Sequence, residues 1–306
     1  MPESKVLVQV EDQRLTLTNL EKVLYPSNQF TKRDVISYYT RIAPIILPYL
    51  ADRATTFVRF PNGVEGKSFF EKDVSRHAPS WVRTARLPTD SRRGGSDLID
   101  YPVIDGLPAL VWAANLAALE LHVPQWTVGP RGAKHSPDLL VFDLDPGAPA
   151  TIVECCQVAL KLRDLLAADG LVAYPKTSGS KGMQLYCAVR TTRDEQTSDY
   201  AKSLAETLST RHPREIVAKM AKALRPGKVF VDWSQNNPNK TTIAPYSLRA
   251  RELPTVSTPL TWDEVESCRK PYDLVFTAED VLDRVDDLGD LFADLDESRA
   301  KIPKGS

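Results

Sequence analysis

Apolar and polar positions alternate through VLVQV and RLTLT, so Val6 to Leu17 predicts a short strand pair. A loop with Lys22, Tyr25 and Pro26 follows. The run VISYYTRIAPIIL then has helical spacing: Thr31 caps it, Asp34 lies in its first turn, and Pro44 predicts an interruption. Segments 54–60 and 67–72 predict strands around an Asn62-Gly63 turn, and the polar, Gly-rich residues 88–97 predict a mobile loop. Leu110 to Leu121 is apolar and Ala-rich, which predicts a helix, with HVPQWTV strand-like behind it and a loop at 129–137. LLVFDLD, residues 139–145, is a continuous apolar run ending in acids and suits a buried strand. Thr151 and Glu154 form a capping box for a helix ending before Gly170. LVAYPKT and MQLYCAV predict strands around the loop SGSKG. Helices at about 198–211 and 214–224 precede a strand, KVFVDWS, and helical patterning returns in EDVLDRV and DLGDLFADL. Strands and helices mix without strict alternation, so the class is α+β (mixed α/β).

The 306 residues are treated as one domain, and 42% apolar content excludes disorder. No basic region followed by an apolar run opens the chain, and no stretch reaches membrane-spanning length, so a cytoplasmic protein is expected. Cys155, Cys156, Cys187 and Cys268 form no C-x-x-C pair and are expected to be buried thiols, neither zinc ligands nor disulfides. Net charge is −1, but residues 201–251 hold ten bases against three acids, whereas residues 261–306 hold thirteen acids against six bases. Such asymmetry fits one face for polyanions and another that repels them, or else two ordinary solvated faces.

Candidate chemistry begins with Asp143 and Asp145, which a strand places on one face. Two such carboxylates repel unless a cation lies between them, and hard oxygen ligands suit Mg²⁺ or Mn²⁺. Asp232 ends a second apolar strand; three carboxylates from two strands suit two metals for in-line phosphoryl displacement. The competing role for Asp232 is a turn cap bonded to Ser234 or a backbone N–H. Ser178 to Gly182 is a Gly-rich turn that can aim N–H groups and Lys181 at phosphates, or is simply a polar hairpin. Gln235, Lys240 and Arg249 lie in a segment rich in phosphate- and sugar-bonding side chains. Lys22 and Lys32 could grip one phosphate across their loop. Phe69 and Phe70, beside Lys67 and Lys72, could stack on bases; on a strand their rings face opposite ways, so only one is expected to be exposed.

Taken together, LTLTNLEKVLYP, FFEK, ELHVPQW, VFDLDPG, TSGSKG, KVFVDWSQNN and KTTIAPYSLRAR resemble the polymerase domain of bacterial ATP-dependent DNA ligase D and its stand-alone primase-polymerase relatives, of the archaeo-eukaryotic primase superfamily. The resemblance covers nearly the whole chain. It implies two β-sheets flanking a central cleft with helices outside, and a template-directed polymerase that fills short gaps or extends ends, often with NTPs. It implies that Asp143, Asp145 and Asp232 hold two divalent metals, often manganese. Ser178 and Lys181 would contact the triphosphate, with His122, Arg249 and Gln235 lining the nucleotide pocket. Lys22 and Lys32 would recognise a 5′-phosphate, Phe69 and Phe70 would stack on the template, and Arg225 would lie near the primer terminus. One departure is Gln184, where the family usually has His; Gln cannot carry positive charge, which predicts weaker triphosphate binding. No K-x-D-G ligase signature is present, so sealing is expected from another protein, such as a separate ligase with Ku as a partner, or from a further part of the chain. A metal-dependent nuclease, or a catalytically weak module that bridges 5′-phosphorylated ends, are the competing functions.

Overall fold

The computed structural model describes residues 4–90 and 96–303. A hairpin of β1 (Lys5–Val10) and β2 (Gln13–Thr18) opens the chain, as the alternation predicts. The pair β3 (Val23–Tyr25) and β4 (Phe30–Thr31) leads into α1 (Lys32–Leu50), capped by the reciprocal Thr31–Asp34 box. Helix α1 runs through both Pro44 and Pro48, against the predicted interruption. Each proline removes one backbone hydrogen bond. Tyr39, Ile42 and Ile46 are nevertheless buried along the same helix, and this packing holds it together.

β5 (Thr56–Arg59) pairs with β6 (Phe69–Glu71), and β7 (Thr84–Asp90) pairs with β8 (Ser96–Pro102). Both ends of segment 88–97 therefore belong to strands rather than to a loop, continuing the inward alternation of Ala85 and Leu87; its middle lies outside the described residues. Helix α2 (Leu107–Asn115) ends before the predicted Leu121. Ala117 takes a left-handed conformation (φ 56°), and the chain turns into β9 (Ala118–Val123). Residues 118–121 are all buried, and an apolar run buried on both faces does not reveal its period.

β10 (Leu139–Pro146), α3 (Ile152–Ala168), β11 (Tyr174–Thr177), β12 (Met183–Arg190) and α4 (Gln196–Arg211) follow in the predicted order. The helix predicted at 214–224 is replaced by β13 (Ile216–Val217) and a short 3₁₀ turn. Ile216 and Val217 pair with Val229 and Phe230 of β14 (Val229–Asp232), a ladder that local spacing does not reveal. β15 (Thr242–Ile243), α5 (Trp262–Ser267), α6 (Ala278–Leu288) and β16 (Ala300–Lys301) complete the chain. Of the two C-terminal helical patterns only the first forms a helix; between Gly289 and β16 the chain is a succession of turns.

Two sheets dominate. One has the order β11-β12-β10-β14-β13 with β16 on β12, and the other the order β15-β9-β5-β6. The first packs its apolar face against α3 and α4, the second against α1 and α2. All four cysteines are free and buried, three of them on the α3 side of the first core and Cys268 beside Cys156. Among the described residues, no helix is long and apolar enough to cross a membrane.

Candidate active site between the two sheets

β10 carries Asp143 and Asp145 at alternate positions, hence on one face. Asp143 stands opposite Asp232 of β14 on one side and opposite Gln184 of β12 on the other. Gln184 is 3% exposed and its Nε2 donates to Oδ1 of Asp143 at 3.1 Å. Burial first, then the charge of Asp145, pushes the Asp143 carboxyl up. Burial and Asp232 push Asp145 up in the same sense. Clustered carboxylates destabilised in this way are relieved by a cation.

Asp232 is held differently. Its Oδ1 accepts from the Ser234 backbone N–H at 3.0 Å and from Ser234 Oγ at 2.5 Å, and its Oδ2 accepts from Gln235 Nε2 at 2.9 Å. Asp232 thus caps its own turn, the role left open by the sequence, and stands behind the cleft rather than in its lining. Among the described residues, no group of three His, Cys, Asp or Glu side chains is assembled to hold a metal ion.

The cleft has a volume of about 480 Å³ and is walled by both sheets: His122 of β9 and Thr242 of β15 face Asp143 and Asp145 of β10. Ser178, Lys181, Gln235 and Arg249 also line it. The Ser178–Gly182 segment is the β11–β12 hairpin, stitched by the Ser178 hydroxyl, which donates to Gly182 O at 2.9 Å and accepts from the Gly182 and Ser180 N–H groups. Two glycines set its position. Gly179 has φ 66° and a Cβ there would come within 2.6 Å of the Arg249 side chain; at Gly182 a Cβ would lie 2.1 Å from Leu144 O. The hairpin is thereby laid against β10 with exposed Lys181 at its tip.

Glu120, which sequence reasoning missed, organises the opposite wall. Its Oε2 meets His122 Nε2 at 2.9 Å, and its Oε1 accepts from the Ala250 N–H at 3.0 Å and lies 3.3 Å from Arg249 Nε. Burial alone would raise the Glu120 carboxyl, but the His122 hydrogen bond and the Arg249 charge bring it down to about 2. Burial lowers His122, against the pull of Glu120. At neutral pH these two shifts describe an ionised Glu120 accepting from a neutral imidazole protonated on Nε2. The signal in the sequence was a carboxylate two residues before His122 inside an apolar strand.

Because the Glu120 carboxyl is depressed on folding, its contribution is present above the ordinary carboxylate range and is lost as pH falls toward 2. Glu120→Gln is expected to lower neutral-pH stability by about 3 kcal/mol. Thermal unfolding measured across pH should show the variant and parent curves converging in acid.

Lys176 is a second residue the sequence did not single out. It is fully buried beside Gln184 in the ladder, its Nζ donates to Ser257 Oγ at 2.5 Å, and burial holds its pKa well below that of a free lysine, against the Asp143 charge. Gln184 therefore bridges toward a carboxylate with a lysine on its far side, while its own Oε1 has no partner. Gln184→His, which can add a positive charge there, is expected to tighten triphosphate binding roughly threefold to tenfold. Nucleotide titration showing unchanged or weaker affinity would contradict that role.

The remaining predicted residues lie outside the cleft. Lys22 and Lys32 line a separate cavity of about 380 Å³, with Arg59 and Asn115. Lys32 is buried and donates to Thr18 O at 2.7 Å, and Lys22 donates to Asn62 Oδ1 at 2.9 Å. Phe69 and Phe70 are 44% and 69% exposed, so both rings are open, against the expectation of one. The reason is topological: β6 is a three-residue strand at the edge of its sheet. Arg225 lies with its guanidinium 3.7 Å from the Phe230 ring centroid and donates to Met220 O; its charge reaches Asp145.

The sequence pattern of the family described as LigD, primase-polymerase domain, matches residues 31–292. The chain belongs to that family. It is 43% identical to the multifunctional non-homologous end joining protein LigD of Mycolicibacterium smegmatis, over 93% of this chain and 36% of that protein. It is 35% identical to the bifunctional LigD of Bacillus subtilis, over 92% of this chain and 44% of that protein. The chain thus spans less than half the length of these relatives. A structure of the polymerase domain from Mycobacterium tuberculosis Ligase D in complex with DNA superposes with a TM-score of 0.86 at 43% identity, covering 94% of this chain and 99% of that one. This LigD-type domain therefore has the mixed α/β architecture its motifs imply.

Proposed function

We propose that the chain is a metal-dependent nucleotidyltransferase that extends or fills DNA ends, directed by a template, during non-homologous end joining in the cytoplasm. The observation that carries this is the meeting, in one 480 Å³ cleft, of the β10 carboxylates with the Ser178–Lys181 hairpin and Arg249. Cationic side chains facing a carboxylate pair suit a nucleoside triphosphate bound for attack at its α-phosphate.

Asp143 and Asp145 fit a divalent cation by their like-charge crowding and hard oxygen chemistry. Asp143 and Asp145, with Asp232 as the third carboxylate, would hold Mn²⁺ or Mg²⁺, which would supply activation of the primer 3′-hydroxyl and neutralisation of the leaving pyrophosphate. Gln184 fixes the orientation of Asp143. Ser178 shapes the hairpin, so that Lys181 at its tip meets the triphosphate. Glu120 holds Arg249 toward the same place. Lys22 and Lys32 take the 5′-phosphate of the downstream strand in their own cavity, and Phe69 and Phe70 stack on the template. Sealing belongs to a ligase activity outside these residues, and end-holding to a partner such as Ku.

A nuclease would share the carboxylates but has no use for the cationic triphosphate wall. The test is incubation of a 5′-labelled primer on gapped duplex with Mn²⁺ and either NTPs or dNTPs. Products longer than the primer support the proposal. Shorter products assign a nuclease, and unchanged primer with tight DNA binding assigns an end-bridging module.

A further inference from the structure

A second cavity, of about 240 Å³, opens beside the cleft and has no part in the chemistry above. Thr241 lines both spaces. Thr56 of β5 stands directly opposite His122 of β9, so the two side chains point to the same face of the sheet, the face that looks into the cleft. Phe70 pairs with Val58, two residues from Thr56, and shares that face; its ring centroid is 6.4 Å from that of His122. Lys72 follows two residues later, about 7 Å along the strand direction, and lines the cavity.

Three features of the cavity point to one ligand chemistry. Tyr101 and Trp126 supply aromatic surface. Lys72, Lys134 and Lys240 supply cations, with Lys134 5.1 Å from the Trp126 ring centroid and ion-paired to Asp194, and Lys240 bonded to Ser234. Thr56 is fully buried, and its Oγ1 has no hydrogen-bond partner. A buried hydroxyl left unsatisfied costs free energy that a ligand able to donate or accept returns. Flat aromatic walls, a phosphate-seeking rim and an unpartnered buried hydroxyl match a nucleobase with its backbone phosphate. The exposed Phe70 lies on the approach, continuous with the cavity through Lys72.

We infer that this cavity receives one unpaired nucleobase of the bound template strand, splayed out of the stack next to the base on Phe70. The inference rests on the polymerase reading for the identity of the strand. Its function is to fix the template register at the cleft, because a base lodged beside Thr241 prevents the strand from sliding past Asp143 and Asp145.

The test is an abasic scan. A gapped duplex is prepared with a single abasic linker at each unpaired template position in turn, and its affinity for the full chain is measured at fixed salt. Omission at one position is expected to weaken binding about tenfold, and omission at the others much less. In Thr56→Val and, separately, in the rim variant Lys72→Ala, that one penalty should shrink below about twofold. A flat scan of the parent protein, or a penalty unchanged in both variants, overturns the inference. AMP is titrated in parallel: a flat scan together with AMP binding lost in Thr56→Val assigns the cavity to a free nucleotide and overturns the strand assignment. Primer extension at saturating duplex is read alongside. Its presence with a flat scan removes the cavity role alone, whereas its absence under all metals and nucleotides removes the polymerase reading, which the scan does not measure.

Discussion

Asp143→Asn is expected to lower the single-turnover rate of primer extension by about a thousandfold or more, equivalent to about 4 kcal/mol of lost transition-state stabilisation. The amide keeps the shape of the carboxyl but removes a charge from the centre of the cluster, where Asp143 faces Asp232 across the ladder and shares its strand face with Asp145. The same change should not harm the fold. Burial and repulsion already disfavour the charge of Asp143, so without divalent metal the variant should melt at the parent temperature or a few degrees above it. Affinity for 5′-phosphorylated gapped DNA should stay within about threefold, because the Lys22–Lys32 cavity is a separate space on the other sheet. Rate, melting temperature and affinity measured on one preparation separate these effects. Retained extension would remove Asp143 from the mechanism.

The second large effect concerns the downstream phosphate. Replacing a downstream 5′-phosphate by a 5′-hydroxyl is expected to weaken binding of the parent protein about tenfold to a hundredfold, the range for one or two charge-assisted bonds. In a Lys22→Ala/Lys32→Met double variant the two substrates should bind alike. Methionine is chosen at 32 because Lys32 is buried, and the apolar stem must remain to pack. Thr18 loses one donor to its carbonyl, so a modest drop in melting temperature is expected as well. The salt dependence of binding should flatten by about one phosphate contact. A double variant that still prefers the phosphate would move that site elsewhere, with Arg59, ion-paired to Glu71, as the remaining cation of the cavity lining.

The parts of the site legible in the sequence were those in which a local pattern and a chemical oddity coincide. Asp143 and Asp145 end an apolar run, and their shared face follows from strand geometry alone. Thr31 and Thr151 announce their helices because a capping box is a four-residue code. What stayed hidden depends on pairing at long range. The 216–217 strand exists only because β14 runs beside it, and α2 stops at Asn115 because Ala118–Val123 is claimed by β5 and β15. Glu120 and Lys176 are single charges inside apolar strands; their partners, Arg249 and Ser257, lie more than 80 positions away. Both exposed phenylalanines reflect an edge position that only sheet order reveals. Asp232 shows the converse case. Of its two roles the turn cap is local and the structure displays it, whereas the metal role depends on the long-range register that sets Asp232 opposite Asp143.

The most direct measurement is primer extension on a one-nucleotide gap with Mn²⁺, comparing a downstream 5′-phosphate with a 5′-hydroxyl, and the parent chain with Asp143→Ala/Asp145→Ala. The predicted result is a primer lengthened by one templated nucleotide, faster with the phosphate and absent from the double variant. Extension by the double variant, or no extension by the parent despite tight binding of the phosphorylated gap, would contradict the assignment of this cleft as a polymerase active site.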